Sequence, residues 1–148
     1  TCVRWSIIFI KIAQPVLQDE KYKKLQTFIQ HGRISTYEHS VNVAYTAYCW
    51  NLKMHLGIAD TEVIYAGLLH DYYLYDWHHH VVHWHGYVHP AIASKNAQRD
   101  FHISSACQKA IETHMWPLTL LHVPSSRLAW LITMADKRCS LEETLFKR

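Results

Sequence analysis

Between Asp60 and Asp71 the chain reads D-T-E-V-I-Y-A-G-L-L-H-D, and this segment constrains the fold more than any other. Asp60 or Thr61 can cap a helix. Val63, Ile64, Ala66, Gly67, Leu68 and Leu69 then give that helix an apolar surface that is nearly continuous. A helix of this kind is stable only when other elements surround it, so it is expected at the centre of a helical assembly. It runs into His70 and Asp71, which the apolar segment carries towards the interior. An unpaired buried carboxylate is strongly destabilising, so the pair demands compensation, and a divalent cation supplies it.

The rest of the chain supplies partners for that helix. At 148 residues and 49% hydrophobic content, one domain can bury a continuous core without disulfides. Residues 15–31 open on Pro15, carry Val16, Leu17, Leu25, Phe28 and Ile29, and stop before Gly32, a pattern that predicts an amphipathic helix. Ser35 and Glu38 have the spacing of a capping box. The helix they announce runs through Val43, Ala47 and Trp50 towards Gly57, with His39 in its first turns. Residues 72–88 show neither helical nor strand period and read as a loop with short helical turns. Pro90 predicts a restart at about His89, continuing through Ile92, Ala93 and Ala97 to near Phe101. Ser104 or Ser105 caps a further helix through Ala106, Ala110, Ile111 and His114, closed by Pro117. A last helix begins near Pro124 and Ser125. Its apolar stripe is Leu128, Leu131, Ile132, Ala135 and Cys139, with Asp136 one step off it. With no strand run, repeat or linker, the expectation is an all-α bundle forming a single domain over residues 1–148.

Composition narrows the function classes. Charged residues make up 18% of the chain and the net charge is +3, so there is no basic stripe along which a nucleic acid duplex would lie. The four cysteines form no CxxC pair and read as reduced structural thiols. Ile7 to Ile10 is too short, and too closely flanked by Arg4 and Lys11, to span a membrane or form a secretory core. A cytoplasmic location is expected. Histidine is the anomaly, with 13 copies scattered beside Asp, Trp and Tyr rather than gathered in a terminal tag.

His39, the pair His70-Asp71, and Asp136 follow one another in the order of a known signature. In that order the chain resembles the HD superfamily of metal-dependent phosphohydrolases, whose core is a His, a later His-Asp pair and a distant Asp projected inward from different helices. The subset that holds two metals adds two histidines between the pair and the last Asp. His89 of Gly86-Tyr87-Val88-His89-Pro90 and His114 of Thr113-His114-Met115-Trp116-Pro117 stand in those places. The resemblance covers residues 35–140. It departs from the cyclic-dinucleotide branch, which carries a GYP segment and a Lys soon after the pair. Here Asp71 is followed by Tyr72-Tyr73-Leu74-Tyr75-Asp76-Trp77-His78, and the likeness is nearer to small single-domain bacterial HD hydrolases with an HD-x-x-L-Y-D-W-H segment.

The resemblance implies an HD-type bundle around a buried site in which His39, His70, Asp71, His89, His114 and Asp136 bind one or two divalent transition metals. Imidazole with carboxylate suits iron, taken first, or manganese, zinc, cobalt or nickel; calcium would call for an oxygen-rich set. Asp71 is expected to bridge two cations, and a metal-bound hydroxide to attack the phosphorus of a small phosphomonoester or nucleotide. Asp76 and His78 are the candidate proton donors to the leaving group, with His79 and His85 behind them. Lys95, Lys137 and Arg138 are candidates for phosphate binding, and Trp77, Trp84 and Trp116 for stacking on a base. Two other functions use the same ligand order: a di-iron oxygenase of HD type, and a non-catalytic metal- or nucleotide-binding sensor module.

Overall fold

A computed structural model describes residues 2–75 and 84–146, with side chains from Ser6 onward. The first helix, α1, spans Cys2–Leu17, and Phe9, Ala13 and Val16 form its buried stripe. The helix expected over 15–31 is not there. Pro15 lies in the last turn of α1 rather than opening a new helix. The chain then restarts at Asp19, whose carboxylate accepts from the backbone N–H of Lys21 and Tyr22 and caps the single turn α2 (Glu20–Lys23). A 3₁₀ turn over Lys24–Thr27 buries Leu25. Strands β1 (Ile29–His31) and β2 (Ile34–Ser35) follow as an antiparallel hairpin, with Gly32 at φ +58° in the bend, a conformation most side chains resist. The sequence pattern held no strand signal because this hairpin is too short to show a period.

From β2 onward expectation and structure run closer. Helix α3 (Thr36–Lys53) begins at the capping box: Ser35 Oγ accepts from the Glu38 N–H, and the Glu38 carboxylate accepts from the Ser35 N–H. It ends before Gly57, because the Asn51 side chain ties off the last turn by bonding both N–H and C=O of Ile58. Helix α4 (Asp60–Leu69) has Asp60 as its first helical residue, with Ala59 rather than Asp60 or Thr61 at the cap. Val63, Ile64, Ala66, Leu68 and Leu69 are fully buried, and α1, α3, α6 (Ser105–Thr113) and α7 (Arg127–Phe146) all pack on it. At its nearest approach to α3, Gly67 leaves no room for a side chain, since a Cβ there would sit 2.4 Å from the Ala44 Cα.

Helix α5 (His85–Phe101) starts a full turn earlier than Pro90 suggested. Pro90 is the sixth residue of the helix, just past its first turn, and leaves the Gly86 carbonyl without the N–H it would otherwise accept from. Ser104 caps α6 through the Cys107 N–H, and Ser126 Oγ accepts from the Ala129 N–H to open α7, two residues later than Pro124 and Ser125 suggested. The protein is all-α apart from the small hairpin. Among the described residues no helix is long and apolar enough to cross a membrane. Burial pushes the Cys107 thiol up to about 12 and that of Cys139 up to about 11, so both are inert core groups.

Candidate metal centre

Five helices deliver polar groups to one buried cluster. His39 stands in the second turn of α3, His70 and Asp71 follow the last turn of α4, His89 is one turn into α5, His114 follows α6, and Asp136 lies midway along α7. None is more than 6% exposed.

Hydrogen bonds fix which nitrogen of each ring faces inward. The Nδ1–H of His70 donates to the Gly67 carbonyl at 2.7 Å, that of His114 to Ile111 at 2.6 Å, and that of His89 to His85 at 2.9 Å. A carbonyl can only accept, so the proton is on Nδ1 in all three. His39 Nδ1 meets the Glu143 carboxylate at 2.7 Å. When neutral, the three rings that rest on carbonyls therefore turn a bare Nε2 lone pair towards the aspartates, while His39 meets a carboxylate at each nitrogen, Glu143 at Nδ1 and Asp136 at Nε2.

The cluster has two lobes that meet at Asp71. Its Oδ2 lies 3.4 Å from His70 Nε2 and 3.7 Å from His39 Nε2. Asp136 Oδ1 closes that lobe at 3.0 Å from His39 Nε2 and 3.5 Å from His70 Nε2. On the other side, Asp71 Oδ1 lies 3.1 Å from His89 Nε2 and 3.5 Å from His114 Nε2, and those two nitrogens are 3.1 Å apart. Lone pairs this close repel unless positive charge stands between them. Two of the buried atoms, His70 Nε2 and Asp71 Oδ1, have no hydrogen-bond partner among the described residues.

Protons or metal ions can neutralise such a set. Burial works against a charged His39, yet hydrogen bonds to Asp136 and Glu143 carry it up to about 9. His70 rises to about 10 against the same penalty, drawn by the Asp71 charge and by Asp136. In His114 burial prevails, aided by the neighbouring His70 and His89, and its affinity for a proton falls. Both aspartates stay ionised well below the usual carboxylate range despite burial, because the imidazoles stabilise their charge. Neutral imidazole and ionised carboxylate are the forms a transition metal requires. The groups His39, His70, Asp136 and His70, Asp71, His114 each bring three ligand atoms within 4.8 Å of one another, so the residues present fit a divalent metal.

A cavity of about 300 Å³ opens onto the cluster. Gln30 and His31 of the hairpin form one wall, and His85, Gly86 and Met115 another, with Lys137 and Ser140 beside Asp136. A larger cleft of about 480 Å³, lined by Trp50, Met54, Leu56, Trp130, Leu131, Met134 and Arg127, is apolar and removed from these groups. Chemistry belongs to the smaller one, where the titratable groups converge.

Of the residues expected to bind phosphate, Lys137 reaches the cavity, its ammonium donating to the His114 carbonyl at 2.9 Å and to Asp136 Oδ2 at 3.1 Å. Lys95 is exposed on α5 and does not line the cavity. Arg138 pairs with Glu142 and lies over the Trp50 ring, also outside it. Asp76 and His78, with Trp77 and His79, lie outside the described residues. His85 lines the cavity, stacked on His89 at 4.5 Å and bonded through Nδ1 to the Tyr75 hydroxyl. Trp116 packs on Trp130 and Trp84 on Tyr87, neither in the cavity lining.

Several residues at the cluster escaped the sequence reading. Gln30 donates from Nε2 to Asp71 Oδ2 at 2.7 Å, and its own carbonyl accepts from the hydroxyls of Tyr73 and Thr36. No signal marked it, since its segment read as helix. Ser140 and Glu143 carried one: they stand four and seven residues after Asp136, on the same face of α7.

The family model described as HD domain matches residues 36–140. No curated protein and no solved structure matches the chain.

Proposed function

The chain belongs to the HD domain family, most of whose members are metal-dependent phosphohydrolases, and from that premise we propose that it hydrolyses a small phosphomonoester or nucleotide. The observation that carries the reading is the arrangement of the four histidines. Each spends its Nδ1 on a fixed acceptor and aims Nε2 at the aspartates, in two lobes that share Asp71. On this reading His39, His70, Asp71 and Asp136 hold one cation and Asp71, His89 and His114 a second, with iron first among the metals that suit the set. Bound cations of this kind polarise phosphoryl oxygens and make water a nucleophile near neutral pH.

The chain's own groups do the remaining work. Gln30 holds the Asp71 carboxylate in one orientation, and Lys137 places a positive charge at the cavity edge, where it favours an anionic phosphate. The cavity, about 300 Å³ among the described residues, is of a size for a small molecule rather than a polynucleotide. Asp76 and His78 remain the proposed proton donors to the leaving oxygen.

The test is phosphate release from an aryl phosphate and a panel of nucleotides by metal-depleted protein, with iron, manganese, zinc, cobalt or nickel added back. Release that depends on added metal and is lost in Asp71→Ala supports the proposal. No release with any metal sinks it, and turnover that consumes dioxygen instead would favour a di-iron oxygenase.

A further inference from the structure

Four rings turn an Nε2 inward, but they are not tethered alike. His70, His89 and His114 rest their Nδ1–H on backbone carbonyls, which are neutral. His39 rests on a carboxylate, Glu143 Oε2, at 2.7 Å. We infer that Glu143 is a positioning residue for the metal centre, and that its charge makes the lobe of His39, His70 and Asp136 fill before the lobe of His89 and His114. The inference rests on the metal-binding reading above.

Glu143 is only 2% exposed, and a carbonyl does the same hydrogen-bonding work at the other three rings, so packing alone does not explain a buried charge here. Asn42, on the same face of α3 as His39, donates to the other oxygen, Oε1, at 3.3 Å and fixes the carboxylate plane. Helix α7 presents Asp136 and Glu143 two turns apart, so that one helix grips both nitrogens of a single ring. A carboxylate behind a ligating imidazole fixes the tautomer, holds the ring in place and makes the inward nitrogen a stronger donor. It also adds a third negative group near this lobe, beside Asp136 and the shared Asp71. Among the described residues the other lobe has Asp71 alone. Lys137 offsets part of this, since its ammonium pairs with Asp136 Oδ2 at 3.1 Å, but against Asp136 and Glu143 together one ammonium leaves the lobe the more negative of the two. A cation therefore meets a more negative and more basic donor set on the His39 side.

Manganese and cobalt titrations of metal-depleted protein, in competition with a chromophoric chelator, separate the possibilities. The wild-type chain is expected to show two classes of site. Glu143→Gln keeps the shape and can still accept from His39 Nδ1, so it should fold, retain two equivalents and weaken the tighter class by roughly 10–100-fold. The visible bands of bound cobalt should shift in the same variant. His89→Ala should instead remove the weaker class and leave the tighter one. Glu143→Ala should lose more than Glu143→Gln; should it fail to fold, the Gln variant still decides. Unchanged tight binding with an unchanged cobalt spectrum in Glu143→Gln would overturn the inference while leaving the metal centre intact. His31 also lies within 4.8 Å of this pair, so a third equivalent lost in His31→Ala would make Glu143 a ligand and overturn its positioning role. If the wild-type chain takes up no metal, the metal reading falls and this inference with it.

Discussion

Replacing Gly67 by alanine tests how tightly the fold and the metal centre are joined. A Cβ on Gly67 would sit 2.4 Å from Ala44 Cα, 2.8 Å from Ala44 Cβ and 3.0 Å from Ala44 N. Carbon atoms pack at about 3.5–4.0 Å, so α3 and α4 must part by about 1 Å. The obstruction is backbone in the middle of α3, which has no rotamer to change. Overpacking of this kind costs about 1–3 kcal/mol, and a backbone clash belongs at the upper end. The gain in helix propensity from Gly to Ala offsets about 1 kcal/mol of it. A net loss of about 2 kcal/mol remains, which for a domain near this size lowers Tm by roughly 4–8 °C. The same displacement reaches the site. His70 is one turn beyond Gly67 and takes its orientation from the Gly67 carbonyl, while His39 is carried by α3. Gly67→Ala should therefore weaken metal binding as well as stability, measured by thermal melting and by chelator competition on the same sample. A variant with unchanged Tm and unchanged metal affinity would refute the reasoning, because it would mean that the two helices separate without cost.

Asp71→Ala should abolish turnover and lower the occupancy of both lobes, whereas His89→Ala or His114→Ala should remove chiefly one equivalent of metal; elemental analysis beside an activity assay distinguishes them, and full metal content in Asp71→Ala would end the shared-carboxylate reading. Lys137→Ala should raise KM more than it lowers kcat, and a change confined to kcat would remove Lys137 from phosphate binding. Asp100, which is not a proposed metal ligand, supplies a pH test. Arg99, Lys21 and the Tyr72 hydroxyl all donate to its carboxylate and hold it below the usual range. A depressed folded value means that its stabilisation is present above the unfolded value near about 4 and is lost as pH falls through the folded one. Asp100→Asn should thus lower the melting temperature at pH 7 and lose that deficit progressively below about pH 4; a deficit independent of pH would show that its charge is not what stabilises.

What was legible in the chain was local. The capping box at Ser35 and Glu38, the apolar run from Val63 to Leu69 and the Ser104 cap are each written within a few residues, and each appears as expected. Punctuation by proline misled twice for one physical reason. Pro15 and Pro90 each suggest a helix start, but both lie within a turn or so of a helix end, and in α1 and α5 the surrounding residues carry the helix through the proline. The hairpin at Ile29–Ser35 is invisible because two strands of three and two residues have no measurable period, and it packs on distant elements, α3 and α7. Gln30 was invisible with it.

The centre divides along the same line between local and distant information. Residue type and order single out six groups, and the structure brings all six into one cluster. Order along the chain does not say how they partition. By sequence Asp136 is nearest His114, yet it closes the lobe of His39 and His70, because α7 packs against α3 as well as α6 and turns the Asp136 face towards α3. The same packing brings Glu143 to His39 across 104 residues of chain. Such pairings follow from which helices lie side by side, a property of the whole core. The asymmetry between the lobes is therefore a tertiary property too: it arises where α7 crosses α3, and changes at that crossing should alter one lobe more than the other.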